Sequence, residues 1–198
     1  RSMSNAWQPD KAVLKQALDG YALVVQKQPQ FLQAYRAAGM MLEQAKDYPA
    51  AVEWWAKLLT AAKGDMSVKA LPPDRSDFAF NAAAEMAWLY VENLNDLAKA
   101  REYAKIAGDI RADQPNLVDT VGWIHYKAGA FPEAVEALRR SYKSDPANAT
   151  VAYHLGAALV KTGDLAGAKD VLKKALKNVG DDAELKGKIE AALKEAGG

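Results

Sequence analysis

The chain has no cysteine, which excludes a disulfide framework and any thiolate metal site. Histidine is nearly as scarce: His125 and His154, 29 positions apart, are the only two among 198 residues. Two histidines without a thiolate argue against a protein-built zinc site and leave carboxylates as the other source of metal ligands. Charge of one sign is missing too, since 26 Lys and Arg stand against 25 Asp and Glu for a formal net charge of +1. No long-range field then steers the chain toward nucleic acid or an anionic membrane. No apolar run approaches the ~20 residues of a membrane-spanning helix, so direct membrane insertion by this segment is not expected. There is no Gly-Lys-Ser/Thr phosphate loop and no Gly-x-Ser-x-Gly elbow. Both histidines read as structural, and carboxylates such as Glu133, Glu136, Asp181 and Asp182 read as solvated faces and caps. The expectation is a non-catalytic protein without cofactor or metal.

What the chain does have is a repeat. Four times a small residue precedes a helical alanine by twelve or thirteen positions: Gly39 and Ala51, Ala87 and Ala100, Gly122 and Ala134, Gly156 and Ala168. The period of roughly 34 residues is that of a helix-turn-helix repeat whose units stack on their neighbours. Unit one, residues 32–65, carries Tyr35, Gly39, Leu42, Tyr48, Ala51 and Trp55. Unit two, 80–113, carries Ala83, Ala87, Tyr90, Leu97, Ala100 and Ala104, with one inserted residue near Leu94. Unit three, 115–148, and unit four, 149–182, repeat the series through Gly122, Ala134 and Leu138, then Gly156, Ala168 and Leu172. In each first helix the packing residues fall at i, i+4 and i+7, a single helical stripe, and its small member lets the second helix approach.

Turn chemistry agrees with this phasing. Pro49 and Pro132 stand in the first turn of second helices, where a missing N–H costs little, and Gly129 and Gly163 follow first helices as left-handed terminators. Asp47, Asp96 and Asp164 are placed to cap second helices, and Asn116 to cap the first helix of unit three. Residues 9–31 fit the second half of a preceding repeat through Leu14, Ala17, Tyr21 and Pro29. Residues 183–196 form an amphipathic capping helix with Leu185, Ile189 and Leu193 on one side. Residues 66–79, with Pro72-Pro73, read as a surface insertion. Ser4-Asn5-Ala6 suggests that residues 1–6 are an expression-tag remnant and that 7–198 is one solenoid domain cut from a longer protein.

The series of aromatic, small, aromatic, Gly-Asp-Tyr-like turn, Ala and Pro positions resembles the tetratricopeptide repeat. The resemblance implies an all-α, right-handed superhelical solenoid. Two stretches, Met86-Ala87-Trp88-Leu89 and 114–123 with Gly122-Trp123, are similar to bacterial proteins of this family, including lipoproteins of envelope secretion and exopolysaccharide systems. That likeness leans toward a bacterial cell-envelope address, with a cytoplasmic adaptor as the alternative. The family's peptide-binding variant grips a C-terminal carboxylate with Lys and Asn at positions 5 and 9 of its first unit and with Lys and Arg in its third. Here those places hold Arg36 and Met40, and Asn116 and Thr120, so that clamp is absent.

In a stack of such hairpins the first helices line the concave side, and positions 2, 5, 9 and 12 share a face offset from the core stripe. The expected partner-binding residues on it are Arg36, Met40, Glu43, Trp88, Glu92, Asp119, Trp123, Tyr126, Lys127, Tyr153 and Lys161. Trp and Tyr are the residue types that dominate binding hot spots. The expected function is a protein-interaction scaffold holding a peptide or partner protein. The alternative is a structural module that self-associates through its repeat ends, and a nucleic-acid reader is disfavoured by the balanced charge.

Overall fold

Three of the four first helices meet their second helix at a glycine where a side chain has no room. In the computed structural model, which describes residues 10–197, a Cβ added to Gly39 would stand 2.8 Å from Cε2 of Trp55. One added to Gly122 would stand 2.6 Å from Cγ of Leu138, and one at Gly156 2.4 Å from Cγ of Leu172. The residue opposite each glycine is therefore not the recurrent alanine but the side chain four positions after it. The alanines Ala51, Ala134 and Ala168 are fully buried one turn earlier.

The elements run α1 (Lys11–Lys27), α2 (Leu32–Gln44), α3 (Tyr48–Lys63), a 3-10 turn (Val68–Ala70), α4 (Pro73–Glu92), α5 (Leu97–Arg111), α6 (Pro115–Lys127), α7 (Phe131–Ser144), α8 (Ala149–Thr162), α9 (Leu165–Asn178) and α10 (Ala183–Glu195). There is no strand among the described residues. The all-α repeat fold anticipated from periodicity is thus observed, with α2/α3, α4/α5, α6/α7 and α8/α9 as its hairpins. The suggested tag remnant, residues 1–6, lies outside the described residues, as does the start of the half repeat.

The chain divides into two compact units, which among the described residues are 10–112 and 113–197. In the first, Leu42, Trp55, Leu58, Met86 and Leu89 form the core between α2, α3 and α4, with Leu18 and Val25 of α1 packed against it. In the second, Leu138, Leu155, Leu159, Leu172 and Ile189 fill the space between α7, α8, α9 and α10. Each such leucine, fully buried, contributes roughly 1.5–3 kcal/mol.

Caps follow the sequence closely. Asp47, Asp96 and Asp164 accept from the backbone N–H of Ala50, Lys99 and Gly167 at 3.3, 3.0 and 3.0 Å. Gly129 and Gly163 take left-handed φ values of 78° and 83°, and Lys46 (59°) and Asn95 (52°) take the same conformation in the first two hairpins. Asn116 departs from expectation. Helix α6 starts at Pro115 after Gln114, so Asn116 lies inside it, accepting only from the N–H of Leu117 at 2.9 Å. Residues 66–79 depart as well, since α4 begins at Pro73 and only the stretch before it is a connection. Proline is tolerated in a first turn and Asp74 favours that end, so the helix starts seven residues ahead of the repeat phase. Arg111 of α5 ties this extension down through Ser76 at 3.0 Å and through Asp77.

Candidate functional site

Exposure separates the first-helix faces of the two units. In residues 10–112, Gln33, Arg36 and Met40 are open on α2, Met40 at 47%, and Glu43 is half-buried. On α4, Asn81, Trp88 and Glu92 are half-buried, whereas Ala84 and Val91 are closed off. Between the two helices lies a cavity of about 440 Å³ lined by Arg36, Met40, Glu43, Gln44, Asn81 and Glu85, with Trp55 at its base. Arg36 sits over the Phe78 ring, 5.9 Å from its centre.

The two carboxyls give this cavity its chemistry. Trp55 Nε1 donates to Glu43 Oε1 at 2.5 Å. Burial pushes the Glu43 carboxyl up to about 7, the charge of Glu85 pushes the same way, and the Trp55 hydrogen bond opposes both. Burial also raises the Glu85 carboxyl. Glu43 thus changes charge near neutrality, which lets the cavity present either a hydroxyl donor or a full carboxylate. Glu85 escaped the sequence reading because it occupies position 6 of its unit, outside the positions taken to face a partner. A signal was present: Thr120 and His154 occupy the same position, a recurrent polar residue inside an otherwise apolar helix stripe.

A second opening, of about 660 Å³, lies between α1 and α3 and is lined chiefly by Val25, Pro29, Tyr35, Trp54, Lys57 and Ala61. Trp54 is half-buried under the Lys57 ammonium, 4.8 Å from its ring, while Trp55 is buried in the core.

In residues 113–197 the aromatics pack on one another. Trp123 is 3% exposed, stacked between Tyr126 at 4.5 Å and His154 at 4.1 Å, with Tyr153 tilted against it at 5.9 Å. Asp119, 7% exposed, faces His154, whose Nδ1 lies 2.9 and 3.1 Å from its carboxylate oxygens. Trp123 and Asp119 were expected to face a partner, and both are closed off by neighbours of their own unit. The accessible part of this face is Tyr126 and Tyr153, half-buried, with Lys127 and Lys161 exposed. Lys127 lies 5.3 Å above the Trp123 ring and Lys161 donates to Glu195 of α10 at 3.1 Å.

The tetratricopeptide-repeat family model matches residues 125–193. Solved structures match nearly the whole chain. PilW, a type IV pilus biogenesis factor, aligns with a TM-score of 0.67 at 21% identity over 94% of this chain and 81% of its own. MamA from Desulfovibrio magneticus RS-1 aligns at 0.66 and 14% identity over 87% and 89%, and YrrB, a repeat protein with an unusual peptide-binding site, at 0.61 and 18% over 90% and 84%. The fold is that of tetratricopeptide-repeat proteins. No curated protein is significantly similar in sequence. Three of the four hairpins, α2/α3, α4/α5 and α8/α9, carry Asp-capped turns, and the open face in residues 10–112 is built from two consecutive first helices, α2 and α4. Among the described residues no helix is long and apolar enough to cross a membrane.

Proposed function

We propose that this protein is a non-catalytic interaction scaffold that holds a peptide or a segment of a partner protein on its first-helix face. The observation that supports this most is the cavity between α2 and α4, where an exposed methionine, a cation and two partly buried carboxyls converge on one opening. Met40 offers adaptable apolar contact, and Glu43 and Glu85 offer acceptors in a partly desolvated place. Such a cavity favours a partner side chain with N–H donors on an apolar stem, a lysine or arginine. In residues 113–197 Tyr126, Lys127, Tyr153 and Lys161 offer a second, more aromatic patch for the same partner class, with Trp88 and Glu92 extending the α4 face in the first unit. The likeness to PilW and MamA supports a bacterial assembly as the setting.

Selection of a random twelve-residue peptide display library on the immobilised protein tests this reading. The expected result is an enriched family of peptides carrying Lys or Arg, whose binding falls at least tenfold on Met40→Lys or Glu85→Ala. Failure to enrich any family, or enriched peptides indifferent to both substitutions, would remove the α2/α4 cavity from consideration.

A further inference from the structure

The cavity between α2 and α4 brings two acids to one opening. Glu43 comes from α2 and Glu85 from α4, and both carboxyls line the same space of about 440 Å³ while standing half-buried. Trp55 reaches in from α3 and holds Glu43 Oε1 with its indole N–H at 2.5 Å, so the acid is fixed in place. Like charges that share a partly desolvated site do not both ionise readily, and one of them keeps its proton.

The other neighbours do little to relieve this. Met40, Gln44 and Asn81 are uncharged, α3 contributes the neutral Trp55, and no residue of α1 is among the described residues lining the cavity. Arg36 of α2 is the one cation among those lining residues, and its guanidinium rests over the Phe78 ring, 5.9 Å from the centre. With Arg36 in place, burial and then the charge of Glu85 still push the Glu43 carboxyl up to about 7, against the Trp55 hydrogen bond. Near neutrality the empty cavity thus retains a proton that a pair of surface glutamates would have lost.

An incoming cation changes the balance. A guanidinium or ammonium set between Glu43 and Glu85 cancels their repulsion and donates charge-assisted hydrogen bonds that the ionised carboxyls accept best. A protonated carboxyl instead presents an O–H, for which a cation has no acceptor. Proton and cation therefore compete for the same place.

We propose that the α2/α4 cavity takes a lysine or arginine side chain of its partner in exchange for a proton, so that acidification releases the partner. The exchange rests on the reading of this cavity as the partner's site, and it adds the condition under which the site is filled. The proton leaves Glu43 for solvent as the cation enters.

Methylguanidinium chloride, the arginine head group by itself, serves as the probe, titrated into the full chain at constant ionic strength at pH 5.5 and pH 8. The Trp55 indole N–H is followed by NMR. Saturable movement is expected at pH 8, with a dissociation constant at least tenfold higher at pH 5.5, because a carboxyl titrating near 7 changes its ionised fraction about thirtyfold over that range. Glu43→Gln, which keeps an acceptor for Trp55, narrows the difference to threefold or less. Glu85→Gln leaves the Trp55 hydrogen bond intact, removes the repulsion, and narrows the difference as well. Saturable binding of equal strength at both pH values overturns the exchange and leaves the cavity as a cation site. Absence of a saturable shift at either pH overturns the exchange together with the reading beneath it. A pH dependence undiminished in both variants overturns the exchange too, because the proton then sits elsewhere.

Discussion

His154 of α8 faces Asp119 of α6 across the first-helix layer, with Nδ1 2.9 Å from one carboxylate oxygen, 3.1 Å from the other, and the Trp123 indole stacked on the imidazole at 4.1 Å. Asp119 stands at position 5 of its repeat and His154 at position 6 of the next. In residues 10–112 the same two positions hold Arg36 and Glu85, both on the wall of the open cavity. One pair of repeat positions thus makes a closed polar contact in one unit and lines an opening in the other.

Removing Asp119 tests whether the closed contact is structural. Asp119→Ala leaves a buried imidazole nitrogen without its acceptor and is expected to cost about 2 kcal/mol, whereas Asp119→Asn keeps an oxygen in place and costs less. Urea unfolding of the two variants measures this. An alanine variant as stable as the parent would mean that the hydrogen bond contributes nothing net. Trp123→Ala, which empties a buried aromatic site, is expected to cost about 3–5 kcal/mol and so belongs with the core, not with a binding scan.

The glycines divide by what faces them. Gly156→Ala pushes a methyl into Leu172 and Gly122→Ala pushes one into Leu138 beside its backbone nitrogen, so each is expected to destabilise by about 1–3 kcal/mol. At Gly108 and Gly187, helical positions where an added Cβ meets nothing within 4 Å, alanine is expected to stabilise by roughly 0.5–1 kcal/mol. Thermal melts of the four variants give the signs, and a common sign across both pairs would refute the assigned crossings.

Hairpin phase, turn residues and caps were readable because they are local: Asp164 meets an N–H three residues on, and Gly163 needs only its own φ. What covers a face was not local. Periodicity assigned Asp119 and Trp123 to the same face as Met40, but exposure there depends on the next first helix, where His154 and Tyr153 close over α6. Glu85 was missed for the related reason that position 6 becomes a cavity wall only when α4 lies beside α2. The residue facing Gly39 is Trp55, one turn beyond Ala51, because a helical side chain covers surface displaced along the axis from its own Cα. Pro72-Pro73 read as a loop marker, yet Pro73 opens the longest helix among the described residues.

The raised Glu43 carboxyl carries a pH dependence of defined sign. Its folded value of about 7 exceeds the unfolded 4.5, so the folded state binds the extra proton between those values and stability falls as pH rises through that window. Glu85 of α4 is the facing acid, Arg36 and Gln44 flank it on α2, Asn81 lies on α4, and Trp55 donates from α3. Glu43→Gln keeps an acceptor for Trp55 and removes the charge, and is expected to add about 1 kcal/mol at pH 8, after allowance for solvent screening, and little at pH 4. Equal effects at both pH values in chemical denaturation would place the proton elsewhere.

The most direct test of the interaction face is amide chemical-shift mapping on ¹⁵N-labelled protein titrated with a selected Lys- or Arg-bearing peptide. The account predicts perturbations that cluster on α2 from Arg36 to Gln44 and on α4 around Asn81 and Glu85, with the Trp55 indole N–H among the largest. Perturbations confined to Trp54, Lys57 and the α1/α3 opening, with the Trp55 signal unmoved, would contradict it.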